Sequence, residues 1–141
     1  MKKFVIILIS IVAVSTFVSC NDRPVLHDKL PNKAKQFLST YFTDIEVLSI
    51  MKDSGEYEVL LVDGTEVDFK TNGNWKKVDC HGRPVPQGFF PESITNYVAS
   101  RFPNAFIDEI SFEHNRYEVG LNIIIDDDLI FDKNGNFIGV D

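Results

Sequence analysis

The sequence predicts an α+β protein: a tandem repeat in which each copy is a helix followed by a four-stranded antiparallel meander. The strands would form one sheet, with the helices on one face. Three observations predict this. FKTNGNWKKVD at Phe69 and FDKNGNFIGVD at Phe131 share one frame, sixty-two positions apart. LPNKAKQFLSTYFTD at Leu30 matches FPESITNYVASRFPN at Phe90, and YEVLL at Tyr57 matches YEVGL at Tyr117, both at an offset of sixty. In each copy an apolar stripe of helical period gives way to period-two alternation.

The elements follow in order. Lys2 and Lys3 precede an apolar run from Phe4 to Val18. That run is shorter than the roughly 20 residues of a membrane span and fits a signal-peptide core. It ends FVSC, which resembles a bacterial lipobox and makes Cys20 the candidate lipidation site; plain signal cleavage and an uncleaved anchor are the alternatives. Residues 1–19 are thus read as a signal peptide. Residues 20–29, Cys20 followed by NDRPVLHDK, are read as a tether. Residues 30–141 are the domain, with a first copy at 30–80, a linker at 81–89 and a second copy at 90–141.

Leu30, Ala34, Phe37, Leu38 and Tyr41 form the first helical stripe, opened by Pro31. Strands are expected from Ile45 to Ile50, Tyr57 to Val62, Glu66 to Lys70 and Trp75 to Cys80. Turns fall at Gly55, at Asp63-Gly64 and at the first Asn-Gly. The linker CHGRPVPQGFFP has two prolines before Pro91 and two glycines, and its Phe89-Phe90 pair is expected to pack near the second helix. That helix carries Ile94, Tyr97, Val98 and Phe102, opened by Pro91 and stopped by Pro103. Strands then run Ala105–Glu113, Arg116–Ile124, Leu129–Lys133 and Asn136–Val140. Each Asn-Gly supplies positive φ for a tight reversal. A unit of about fifty residues buries too little surface alone, whereas two can share one core.

Net charge is −7, and −9 once a segment holding Lys2, Lys3 and no acid is removed. That excess repels phosphate backbones, so nucleic acid is not an expected partner. The inventory points to no enzyme and no cofactor. His27, His81 and His114 are scattered, and no nucleophile sits in a glycine-framed elbow. Cys80 and His81 are adjacent on extended chain and point to opposite faces. With Cys20 lipidated, Cys80 is expected as a buried free thiol. Asp126, Asp128 and Asp132 form a weak alternative metal set. DKNGN starts like a calcium loop, but its Gly stands fourth instead of sixth and no Glu closes it.

The order LP..A..F...YF, YEV.L.DG..V.F...G.W..VDC, VP..F.P..I..Y....FP, YEV.L and F...G.F resembles the PepSY-like family of exported Bacteroidetes proteins, β-lactamase-inhibitor-like in kind. The resemblance spans Leu30 to Asp141. It implies a fold like β-lactamase inhibitor protein, a curved continuous antiparallel sheet with helices on one side. NIIIDDDL stands where the family more often has a short turn.

Function is therefore sought on the uncovered sheet face. Alternation assigns Glu58, Leu60, Glu66, Asp68 and Lys70 to it, and Trp75 and Lys77 too if Val78 and Cys80 face the core. A bulge turning Trp75 inward is the alternative. Glu118, Asn122, Ile130 and Phe137 are their counterparts. The candidate partner-binding set is Glu58, Glu66, Asp68, Lys70, Trp75, Lys77 and Phe137. The expectation is an exported, periplasmic or cell-surface, non-enzymatic binding protein. It would engage an unknown envelope protein, inhibitor-like, and touch membrane only through its N-terminal lipid. The alternative is a calcium or small-ligand binding module of the cell surface.

Overall fold

The computed structural model describes residues 23–141. The signal segment and Cys20 lie outside the described residues. The chain runs β1 (Arg23–Pro24), a 3-10 turn (His27–Lys29), α1 (Asn32–Tyr41), β2 (Val47–Asp53), β3 (Glu56–Leu61), β4 (Glu66–Phe69) and β5 (Trp75–Asp79). It continues with α2 (Glu92–Arg101), β6 (Ile107–Glu113), β7 (Arg116–Leu121), β8 (Leu129–Asp132) and β9 (Phe137–Val140). The strands form a single nine-stranded sheet in chain order. Every neighbouring pair is antiparallel.

One strand comes from the stretch read as a tether. Arg23 and Pro24 pair with Lys52 and Met51, and the Val25 N–H donates to the Ile50 carbonyl at 2.8 Å. Another strand is shorter than expected, since β7 stops at Leu121. Beyond it, the Asn122 side chain accepts the Phe106 N–H at 2.7 Å, so this residue anchors a loop and does not continue the face.

The hairpins β2–β3 and β6–β7 turn on Ser54-Gly55 and His114-Asn115, where both central residues have positive φ. Two such residues match the strand twist, which is why these loops need only two. The Asn-Gly turns differ from expectation. Only the glycines, Gly73 (φ +83) and Gly135 (φ +82), are left-handed there. Asn72 acts through its side chain, accepting the Asn74 N–H at 3.0 Å. In the second turn Asp132 does this work, accepting the N–H of Asn134 and of Asn136, each at 2.9 Å.

Both turns press on the start of a helix. A Cβ on Gly73 would stand 2.7 Å from the Pro31 Cβ, and one on Gly135 would stand 2.6 Å from the Pro91 Cβ. The Ser93 hydroxyl donates to the Gly135 carbonyl at 2.9 Å, and Lys33 reaches the Asn74 side chain at 3.3 Å. Each Asn-Gly turn therefore both reverses the chain and seats the helix that precedes its meander.

Ala34 and Leu38 of α1 and Ile94 and Val98 of α2 belong to one core cluster with Val59, Val67, Phe69, Val78, Ile110, Val119 and Phe131. The two halves of the chain meet at β5–β6, where Val78 faces Ile110. The core runs through that junction without a break, and the linker's Val85 and Phe90 are part of it.

Candidate functional site

Antiparallel pairing places opposite residues on the same face. The register therefore lines up Met51, Glu58, Asp68, Lys77, Ser111 and Glu118 across six strands. A second row runs Ser49, Leu60, Glu66, Asp79 and Glu109. These are the residues alternating with the buried ones, so both rows lie on the face away from the core cluster. The first-half members of the two rows, Ser49, Met51, Glu58, Leu60, Glu66, Asp68 and Lys77, line a shallow concavity of about 430 Å³.

Carboxylates dominate this surface, and its cations are mostly spoken for. Lys77 Nζ is 2.6 Å from Glu109, and Lys76 Nζ lies 2.8 Å from Glu56 and 3.3 Å from Glu113. Those pairs tie β3 and β5 to β6, so they also clip the two halves together. Burial lowers the Lys77 pKa, but the bond to Glu109 and the charges of Glu109, Asp79 and Asp68 together outweigh it and the net shift is upward. Glu58, Glu66 and Asp68 are left as the acidic floor. His81 sits beside it, 3.4 Å from Glu66 and 3.4 Å from Asp79.

Asp68 bears the strain of this crowding. Burial, then the neighbouring Glu58 charge, push its pKa up to about 6, against the partial relief of Lys77. A carboxyl whose folded pKa lies above its unfolded value takes up its proton first in the folded state. The stability tied to Asp68 is full below about pH 3.8 and is lost as pH rises through about 6. Asp68→Asn is expected to stabilise the protein by about 1–2 kcal/mol above pH 6, after allowance for solvent screening, with the gain fading toward pH 4. Urea titrations at both pH values check this; an equal gain at each would contradict it.

Two residues of the predicted set are elsewhere. The β4–β5 register slips so that Asp68 faces Lys77 while Phe69 faces Trp75. The extra residue turns Trp75 to the core side. There its ring lies 4.9 Å from Phe89, 6.4 Å from Phe37 and 6.3 Å from Tyr117. The same slip between β8 and β9 turns Phe137 inward, stacked at 4.5 Å on Tyr97. Neither aromatic belongs to the acidic face. Both strands share the spacing aromatic-x-x-Val, and that three-residue interval between two core-facing residues is the sequence signal of the bulge. Lys70 stands at the mouth of its turn, its N–H donating to the Asn74 carbonyl, outside the concavity. Ile130 continues the first row opposite Glu118, yet it is buried. Sequence reasoning missed Met51, Ser49 and Lys76 as parts of this face.

The remaining chemistry is not assembled. Cys80 is buried, and burial pushes its thiol pKa up, while His81 faces Glu66 and Asp79. Asp132 is occupied by its own turn, which holds its carboxyl below the usual range, and it ends β8 while Asp128 precedes that strand, about 13 Å apart at the usual rise. Asp126, Asp128 and Asp132 are not brought together. Among the described residues no group of three or more His, Cys, Asp or Glu could hold a metal ion.

The family model described as "Putative beta-lactamase-inhibitor-like, PepSY-like" matches residues 16–60 and 55–139. Among solved structures, a "putative calcium-regulated periplasmic protein" from Bacteroides thetaiotaomicron is 33% identical, with a TM-score of 0.78 over 85% of this chain and 96% of that one. A "putative periplasmic protein" from Bacteroides vulgatus is 30% identical, with a TM-score of 0.77 over 86% of this chain and 97% of that one. Another "putative periplasmic protein of unknown function" from Bacteroides vulgatus is 28% identical, with a TM-score of 0.78 over 85% of this chain and 98% of that one. No curated protein matches the chain. No helix among the described residues is long and apolar enough to cross a membrane.

Proposed function

This chain belongs to the PepSY-like, β-lactamase-inhibitor-like family, and from that premise we propose that it is an exported, non-enzymatic binding protein. Its acidic sheet face engages a protein of the cell envelope, and Cys20 carries a lipid that holds it there. The proposal includes a duplicated architecture, in which two helix-plus-meander copies place both helices on one face and free the other. The limits proposed are a signal peptide at 1–19 and a folded domain that takes in β1, from the stretch read as a tether, as well as residues 30–141. The observation that carries the reading is the concave floor of Glu58, Glu66 and Asp68 with Met51 and Leu60 among them. A surface mixing apolar area with unpaired charge suits protein recognition, and the acid excess favours a basic partner patch.

The test is charge reversal. The double variant Glu58→Lys/Glu66→Lys is expected to lose, at least tenfold, an envelope protein that the parent chain retains on cross-linked capture. Reversal of Lys35 on α1 is expected to leave capture intact. Equal loss from both variants, or from neither, would refute the surface assignment.

A second reading has one observation in its favour: the Bacteroides thetaiotaomicron relative is described as calcium-regulated. In this reading the chain takes calcium or a small ligand, and the sequence places such a site at the acidic second hairpin, where Asp126, Asp128 and Asp132 are not gathered into a ready-made ion site. Calorimetric titration with calcium separates the two readings. Binding heat together with a raised Tm supports the second; neither is expected under the first.

A further inference from the structure

We propose that β9 is a strand-pairing edge through which two copies of this chain join, antiparallel, into a dimer. The edges of the sheet are unlike. At one end β1 has two residues, one of them Pro24, which has no N–H to offer a further strand. At the other end β9 presents Phe137–Val140 without a charged side chain or proline. Asp128 and Asp141 exchange both backbone hydrogen bonds, at 3.2 and 3.0 Å, so strand alternation points the N–H and C=O of Val140 away from β8.

The chain itself shows what such an edge accepts. β5 stands in the first half where β9 stands in the second, and each is preceded by the same turn and bulge. β5 is covered by β6, and its Val78 is 0% exposed. Val140, the matching residue of β9, is 58% exposed, and Ile138 beside it is 56% exposed.

A second copy is the occupant that closes. With β1 blunted, each chain offers one such edge among the described residues, and pairing like with like gives a two-fold dimer instead of an open fibre. Charge allows it too. Reversed strand directions set the two Asp141 side chains at opposite ends of the paired stretch, beyond a Debye length of about 8 Å, whereas the acidic faces of two copies repel. The dimer would leave those faces open, so this inference stands or falls apart from the partner reading.

Native mass spectrometry of the full chain across a dilution series reads the outcome. The parent is expected to show a dimer that dissociates on dilution. Val140→Pro removes an N–H that the chain does not use internally, and is expected to be monomeric with an unchanged circular dichroism spectrum. Ile138→Lys, at an exposed side chain, is expected to weaken the dimer at least tenfold. A parent monomeric at its highest concentration, or both variants dimerising like the parent, would overturn the proposal.

Discussion

Phe69→Ala is expected to cost about 3–5 kcal/mol, the usual range for emptying a fully packed Phe site. Phe69 is 0% exposed, with Phe37 of α1 edge-on to it at 5.6 Å. The loss should appear as one cooperative transition, because the core is a single cluster spanning both meanders. Guanidinium unfolding followed separately by Trp75 fluorescence and by far-ultraviolet dichroism measures it. Trp75 is the sole Trp of the chain and reports the junction, while dichroism reports every strand. The two midpoints are expected to coincide and to fall together in the variant. Separate midpoints would mean that the halves fold as independent lobes.

The second large effect concerns the repeated turn. Gly135→Ala is expected to destabilise by about 2–4 kcal/mol. Part of this is the left-handed φ, about 1–2 kcal/mol for a residue with a Cβ. The rest is contact, because the new methyl meets Pro91 and the Ser93 hydroxyl at the start of α2. Gly64 is the control. Its φ is +88, yet a Cβ there would meet nothing within 4 Å. Gly64→Ala should therefore cost only the conformational part. Equal losses at the two sites, by thermal or urea unfolding, would show that the turn does not seat the helix.

That pair of glycines shows what the sequence did and did not disclose. The two NGN motifs were visible as turns, because positive φ is a local demand and glycine is its signature. Their second role was not visible, because it depends on Pro31 and Pro91, some forty residues away in each case, packing on the missing side chain. The helical stripes and the alternation of Tyr57, Val59 and Leu61 were equally legible, since both are periods written in adjacent residues. The pairing of Arg23 and Pro24 was not. A two-residue strand has no period, and Pro24 argues against one.

The site divides the same way. Glu58, Glu66, Asp68 and Lys77 were placed on the open face by simple parity, and the register agrees. Parity alone puts Trp75 and Phe137 there too; the inward-turning bulge, open as the alternative for Trp75, is what the register shows in both strands. In WKKVD the two lysines conceal the shift, since either register leaves polar residues facing water; only the Trp-to-Val spacing gives it away. The raised pKa of Asp68 was beyond the sequence altogether. It arises first from burial and then from Glu58 standing opposite on β3, a neighbour ten residues away that only the pairing brings near.

The acidic face is the centre of this account, and photo-cross-linking in intact cells tests it most directly. A photoreactive residue replaces Leu60 in the concavity, or Gln36 on α1 as the reference position. A discrete protein adduct is expected from position 60 and none from position 36. An adduct from position 36 with none from position 60 would contradict it, and would move the working surface to the helical side.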